Sequence, residues 1–108
     1  MFQLFGGRKH REFVQELVRQ LVLDLPPDRV LSDRRSMTVN RITRMLEKTY
    51  ARAAGYERQH RLGMIRRAVF ANDFKWELAS AGYPGEFIDM VTEGLVVELT
   101  RARRAAAK

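Results

Sequence analysis

The stretch that decides the fold runs from Ser36 to Ala54 and reads SMTVNRITRMLEKTYARAA. Its apolar residues recur every three or four positions, a period that places them on one side of an α-helix. These residues are Val39, Ile42, Leu46, Tyr50 and Ala53. Ser36 is a typical N-cap, and the glycine that follows the stretch, Gly55, often ends a helix in the left-handed conformation. We therefore predict one amphipathic helix over residues 36–54.

The opposite side of this predicted helix is cationic. Its basic residues follow one another at steps of three, four and four positions and form a row, called here the basic ridge: Arg41, Arg44, Lys48 and Arg52. The ridge spans roughly 16 Å at the standard helical rise, and Arg58 and Arg61 widen it. It predicts contact with a protein partner or with nucleic-acid phosphates, whose neutralisation releases counterions. The alternative is a solvated face that keeps the protein soluble.

A shorter row of opposite sign lies near the other end of the chain. It consists of Glu86, Asp89 and Glu93 and is called here the acidic ridge. We expect it to meet a basic surface, either within the bundle or across a homo-oligomer interface, where such pairs fix the register more than the affinity. The alternative is that these acids balance the dipole at a helix end and add solubility.

Proline and glycine divide the rest of the chain into further helices. The apolar spacing, together with stops at Pro26-Pro27 and Gly82, predicts helices over about residues 9–25, 57–81 and 84–104. The third predicted helix has two apolar faces, Leu62, Ile65, Val69 and Trp76 on one and Phe70, Phe74 and Leu78 on the other. Two faces indicate a central helix with several neighbours or a kink near Asn72. In the fourth helix, Gly94 predicts close approach of a neighbouring backbone.

No period-two pattern indicates a strand. The predicted fold class is all-α, a small bundle of four main helices with short connections marked by Pro and Gly. Residues 9–104 form a single helical domain, and residues 105–108 a disordered tail. Residues 1–8 form a flexible apolar leader with a Gly-Gly hinge. Its large side chains, Phe2, Leu4 and Phe5, either dock into a groove on a partner or fold back onto the chain's own core.

Charge is distributed unevenly along the chain. Residues 1–67 hold 15 Lys and Arg against 7 Asp and Glu, a charge of +8, whereas residues 68–99 carry −5 and residues 100–108 carry +4. Such asymmetry indicates separate contact surfaces. The chain has no cysteine, which favours a reducing compartment, and we find neither a signal peptide nor a membrane-spanning apolar run. We expect a cytoplasmic protein.

Catalysis has little support in the sequence. The two histidines, His10 and His60, each lie in a basic helical segment without a predictable carboxylate partner. No cluster has the spacing of a metal site, and no cofactor or small-molecule substrate is indicated.

Near helix ends, Trp76, Tyr83 and Tyr56 are either interface anchors or core residues. We therefore expect a non-enzymatic helical interaction module that binds a protein partner or itself through charged helix faces. The alternative is a nucleic-acid-binding protein that contacts phosphates through the basic ridge.

Overall fold

The computed structural model describes residues 7–32 and 39–107 of the 108-residue chain. Within them it contains five helices and no strand, so the predicted all-α fold is confirmed. The helices are α1 (Gly7–Asp24), α2 (Pro27–Ser32), α3 (Val39–His60), α4 (Met64–Ala81) and α5 (Gly85–Ala107). The four long helices are the predicted ones, and α2 is a short helix in the polar connector. The leader residues Phe2, Leu4 and Phe5, and Ser36, lie outside the described residues.

The long helices pack so that α1 and α5 each contact both α3 and α4. α1 and α3 run antiparallel, because Phe13 near the start of α1 stacks on Tyr56 near the end of α3, with ring centroids 4.2 Å apart. The core between the helices draws its most buried side chains from all of them. These include Val14, Leu21, Ala53, Phe70, Phe74, Leu78, Val91 and Leu95.

The end of α3 differs from the prediction. The helix passes through Gly55 and continues to His60, because packing holds the residues that follow. Tyr56 stacks on Phe13, and Glu57 is only 1% exposed. This burial outweighs the cost of about 1 kcal/mol that glycine carries inside a helix. Arg61, with φ of 50°, takes the left-handed position instead, and its N–H donates to the Glu57 carbonyl over 2.7 Å. As a result α4 begins at Met64, not near Glu57.

The ends of α4 and α5 follow from local chemistry. Gly82 ends α4 as predicted, with φ of 99°, and two N–H groups return to the carbonyls of Leu78 and Ala79. Asn72 lies inside the uninterrupted α4 and does not cap a new segment. α5 extends to Ala107, three residues past the predicted domain end at 104, because alanine has the highest helix propensity.

Two tyrosine hydroxyls tie the helices together. Tyr83 donates to the Leu25 carbonyl over 2.6 Å, which satisfies a backbone acceptor at the end of α1. Tyr50 of α3 donates to the Val91 carbonyl of α5 over 2.9 Å. Its ring and hydroxyl occupy the space where a side chain at Gly94 would begin. The close approach predicted at Gly94 is therefore made by a side chain, not by a backbone.

Candidate interaction faces

The basic ridge lies on the surface of α3. All four of its side chains, Arg41, Arg44, Lys48 and Arg52, are exposed, and so are Arg58 and Arg61. They are exposed because the opposite side of the helix is fixed in the core by residues such as Leu46 and Ala53. The helical spacing therefore places the four ridge cations together on one side of α3. Arg58 lies about 120° around the helix from Arg52, and Arg61 follows the last residue of α3.

One end of the basic ridge borders α1. The side chain of Glu16 in α1 accepts hydrogen bonds from Gln20 and Arg19. These bonds, together with the charge of nearby Arg52, lower the pKa of Glu16. The Arg52 end of the basic ridge therefore lies next to α1.

The acidic ridge lies on a different side. Glu86, Asp89 and Glu93 are all exposed on the first half of α5. Asp89 and Glu93 line a depression between α4 and α5, together with Lys75 and Thr92. The basic ridge therefore borders α1, whereas the acidic ridge borders α4.

The most exposed apolar face lies on α4. Ile65 is 64% exposed and Trp76 is 65% exposed, although both belong to an apolar helical face. The other face of α4 supplies Phe70, Phe74 and Leu78 to the core. The first predicted face is only partly covered: Leu62 is buried and Val69 is half-buried, whereas Ile65 and Trp76 are exposed. We call the uncovered surface the α4 outer face, defined by Ile65, Ala68, Asn72, Trp76 and Ala79.

A groove between α4 and α5 adjoins the α4 outer face. It is a chain of three shallow depressions, which share lining residues with one another. The central depression shares Lys75 and Asp89 with the depression beside Trp76. It shares Val96 with the depression beside Met64. Ala79 faces Gly85 at one end and Met64 faces Thr100 at the other, so α4 and α5 run antiparallel. The groove thus follows both helices for most of their length.

The two histidines occupy different environments. His10 is 3% exposed, and its Nδ1 lies 3.1 Å from the Tyr56 hydroxyl, while its Nε2 has no hydrogen-bond partner among the described residues. Burial lowers the pKa of His10, an effect that the charge of Asp73 opposes. His60 is exposed and packs on the Tyr56 ring, with centroids 4.2 Å apart. No three histidine or acidic side chains within residues 7–32 and 39–107 converge as a metal site.

Like His10, Glu57 is an ionisable side chain that the fold buries, and it is 1% exposed. Neither of its carboxylate oxygens has a geometrically acceptable hydrogen-bond partner among the described residues. Burial raises the pKa of Glu57, and the charges of Arg67 and Arg103 oppose this rise. Its position after Gly55, at the expected start of a separate helix, gave no signal that it would be buried.

Comparison with known proteins gives no further guide to the site, since no protein-family model, curated protein or solved structure matches the chain significantly. Across the described ranges, no helix combines the length and the apolar character that crossing a bilayer requires.

Proposed function

We propose that this protein is a non-enzymatic helical interaction module, an adaptor or assembly subunit that docks onto a protein through the α4 outer face and the adjoining groove. One observation carries the proposal: a tryptophan and an isoleucine, each about two-thirds exposed, lie on one side of a single helix. Tryptophan is among the residues that contribute most to protein–protein binding when a partner buries it.

The α4 outer face has the layout of a binding surface. Its residues follow at steps of three, four, four and three positions, so they are neighbours along the helix. Its apolar members, Ile65, Ala68, Trp76 and Ala79, lie on both sides of the polar Asn72. Exposed apolar side chains grouped in this way, unlike those scattered singly over a surface, mark interaction sites. Lys75, Asp89 and Glu93 border the groove beside them. This gives a largely apolar surface with charged residues at its rim, the usual arrangement in protein interfaces.

The charged rim would set orientation and rate of association more than affinity. Exposed ion pairs are each worth only about 0–1 kcal/mol, so the apolar centre would supply most of the binding energy. We place this function in the cytoplasm, in keeping with a chain that contains no cysteine.

The test replaces the two large apolar side chains. The double variant Ile65→Lys and Trp76→Lys removes the apolar centre and leaves the core untouched, because both side chains are exposed. Immobilised wild-type protein should retain a binding protein from the source cell extract, and this variant should lose it. The matched control is Leu23→Lys, which changes another exposed apolar residue, 70% exposed on α1. Equal retention by all three proteins would refute the proposal.

A second candidate function is nucleic-acid binding through the basic ridge. The observation that favours it is the exposure of all four ridge cations along one side of α3. Such a row can contact successive phosphates on one strand without reading the bases. Binding of this kind weakens steeply with salt, because each contact releases counterions.

The test for this candidate reverses two ridge charges. Arg44→Glu with Lys48→Glu should weaken binding to duplex DNA by about 10-fold or more at low salt and flatten its salt dependence. The control, Arg29→Glu with Lys75→Glu, makes the same change in net charge at exposed positions on α2 and α4. If both variants weaken binding equally, only the overall charge matters and the basic ridge is not a site.

A further inference from the structure

The exposed side of α5 carries the spacing of a helix-pairing seam. Residues at steps of four, three, four, three and four positions lie along it: Glu86, Met90, Glu93, Val97, Thr100 and Arg104. All are exposed except Thr100, which is half-buried. Two helices that pack along each other use this repeat with apolar residues. Here only Met90 and Val97 are apolar, so a partner helix has to match the charged positions with opposite charges. Within the described residues, no element of this chain covers the seam.

The middle of this seam is apolar. Met90, Val96 and Val97 are each nearly half exposed, at 49%, 46% and 48%. Val96 and Val97 lie at the midpoint of the 23-residue helix Gly85–Ala107, and Met90 lies about 9 Å before them. Branched and flexible apolar side chains at this position suit packing against a second helix.

Charge changes sign across the apolar middle. The acids Glu86, Asp89 and Glu93 precede Val96 and Val97, and Arg101 and Arg104 follow them, with Glu98 paired to Arg101 within the helix. Asp89 and Arg104 are each roughly 11 Å from the point between Val96 and Val97 at the standard helical rise. A copy of α5 laid antiparallel about that point would therefore place Asp89 opposite Arg104 and Glu93 next to Arg101, with no cation opposite Glu86. A parallel copy would oppose like charges.

The helix dipole alone does not account for this pattern. Its influence is confined to the first and last turns of a helix. Glu93 is the ninth residue of α5, and Arg101 is six residues before its last residue. Among the described residues, Arg101 forms an ion pair with Glu98 over 3.6 Å at the exposed surface, and such pairs hold a side chain weakly.

We propose that α5 pairs with α5 of a second copy of this chain, antiparallel, about a two-fold axis between Val96 and Val97. Asp89 of one copy then faces Arg104 of the second copy, and Glu93 faces Arg101 of the second copy. A two-fold contact uses the same patch on both copies and is closed. The groove beside α5 brings α4 to the edge of the contact and extends its area, since one helix pair alone buries less than a typical interface of about 800 Å² per partner.

This pairing rests on the proposed function, because it names the partner and surface of a docking module. Its test uses charge reversal on each side of the axis. Variant A carries Asp89→Arg and Glu93→Arg, and variant B carries Arg101→Glu and Arg104→Glu. Sedimentation velocity of the full chain should show a concentration-dependent dimer for the wild type. Each variant alone should dissociate about 10-fold or more readily, because four attractive pairs become repulsive.

Recombining the changes makes the test specific. Variants A and B mixed together should form a heterodimer, since the four positions of the contact are then all basic in one copy and all acidic in the other. The chain with all four changes should dimerise like the wild type. As a control, Arg44→Glu with Lys48→Glu on the basic ridge should leave the dimer unchanged.

Three results would overturn the pairing. These are a wild type that stays monomeric at all concentrations, variants A and B that fail to associate, and a dimer that the ridge control dissociates. The last would place the contact on α3. A monomer whose binding to another protein still depends on Ile65 and Trp76 would remove the self-pairing and leave the proposed function in place.

Discussion

Gly94 shows how one missing side chain positions two helices. Its Cβ, if present, would lie 2.8 Å from Cζ of Tyr50 and closer still to the hydroxyl. That hydroxyl is held in place by its bond to the Val91 carbonyl, and burial raises the pKa of Tyr50 to about 12. The tyrosine therefore cannot move aside without losing a hydrogen bond.

We predict that Gly94→Ala destabilises the protein by about 1–2 kcal/mol, because steric overlap outweighs the gain in helix propensity. Tyr50→Phe removes the atom nearest to the clash, so the double variant should recover part of the loss. Urea unfolding of the four proteins in a double-mutant cycle measures this coupling. Strictly additive effects would show that the two residues do not touch.

Glu57 makes stability depend on pH in an unusual direction. Because the folded protein raises the pKa of Glu57 above its ordinary value near 4.5, the folded state binds this proton more tightly than the unfolded state. Its contribution to stability is full below the ordinary pKa and is lost as pH rises through the raised pKa. The free-energy cost of burying the ionised Glu57 carboxylate is therefore present at neutral pH.

The change Glu57→Gln should accordingly favour folding more at about pH 7 than at about pH 4. Denaturant unfolding at both values gives the comparison, with the exposed Glu12→Gln as the matched control. A difference between variant and wild type that stays constant with pH would contradict the assignment.

At the scale of helices, the spacing of apolar residues predicts that a helix exists better than it predicts where that helix ends. The four long helices follow from the recurrence of apolar residues, and Gly82 ends α4 because its φ of 99° suits glycine. Gly55 looks like an equally good stop, yet tertiary contacts of Tyr56 and Glu57 carry α3 past it. Ending the helix at Arg61 instead depends on those contacts, which the residues around Arg61 do not reveal.

The site could be predicted only in part, for a related reason. Periodicity identifies the basic ridge because one buried face implies an opposite exposed face. α4 has two apolar faces, and spacing alone does not tell how many neighbours surround it. The α4 outer face and the burial of Glu57 both needed the packing of α1, α3 and α5 to be known.

Replacing Gly55 by alanine tests the continuity of α3. Inside a helix, with no atom within 4 Å of the added Cβ, this change should stabilise the protein by about 0.5–1 kcal/mol. At a left-handed helix end it would instead destabilise. The midpoint of urea unfolding distinguishes the two, and a loss of stability would show that α3 ends there.

For the molecule as a whole, His10 is the point where three helices meet. It lies in α1, packs on Tyr56 of α3 and Phe70 of α4, and senses the charges of Asp73, His60 and Arg66. Because burial dominates and lowers the pKa of His10 below 6.5, the unfolded state takes up the proton first. Stability is thus present above that pH and is lost as pH falls below it.

We therefore expect His10 to contribute a loss of stability between about pH 7 and about pH 5, opposite in sign to the contribution of Glu57, and His10→Gln to remove this loss. Urea titrations followed by circular dichroism provide the measurement. His60→Gln serves as control, since that ring is exposed. An unchanged pH dependence in the His10 variant would place its cause elsewhere.

The exposure of Trp76 also affects how this protein can be observed. It is the chain's sole tryptophan and is already 65% open to water in the native state. The wavelength of its emission maximum should hardly change on denaturation. Thermal unfolding followed by intrinsic fluorescence would therefore show almost no transition. The same indole should shift to the blue as soon as another molecule shields it, which makes the native chain its own unlabelled optical sensor of binding.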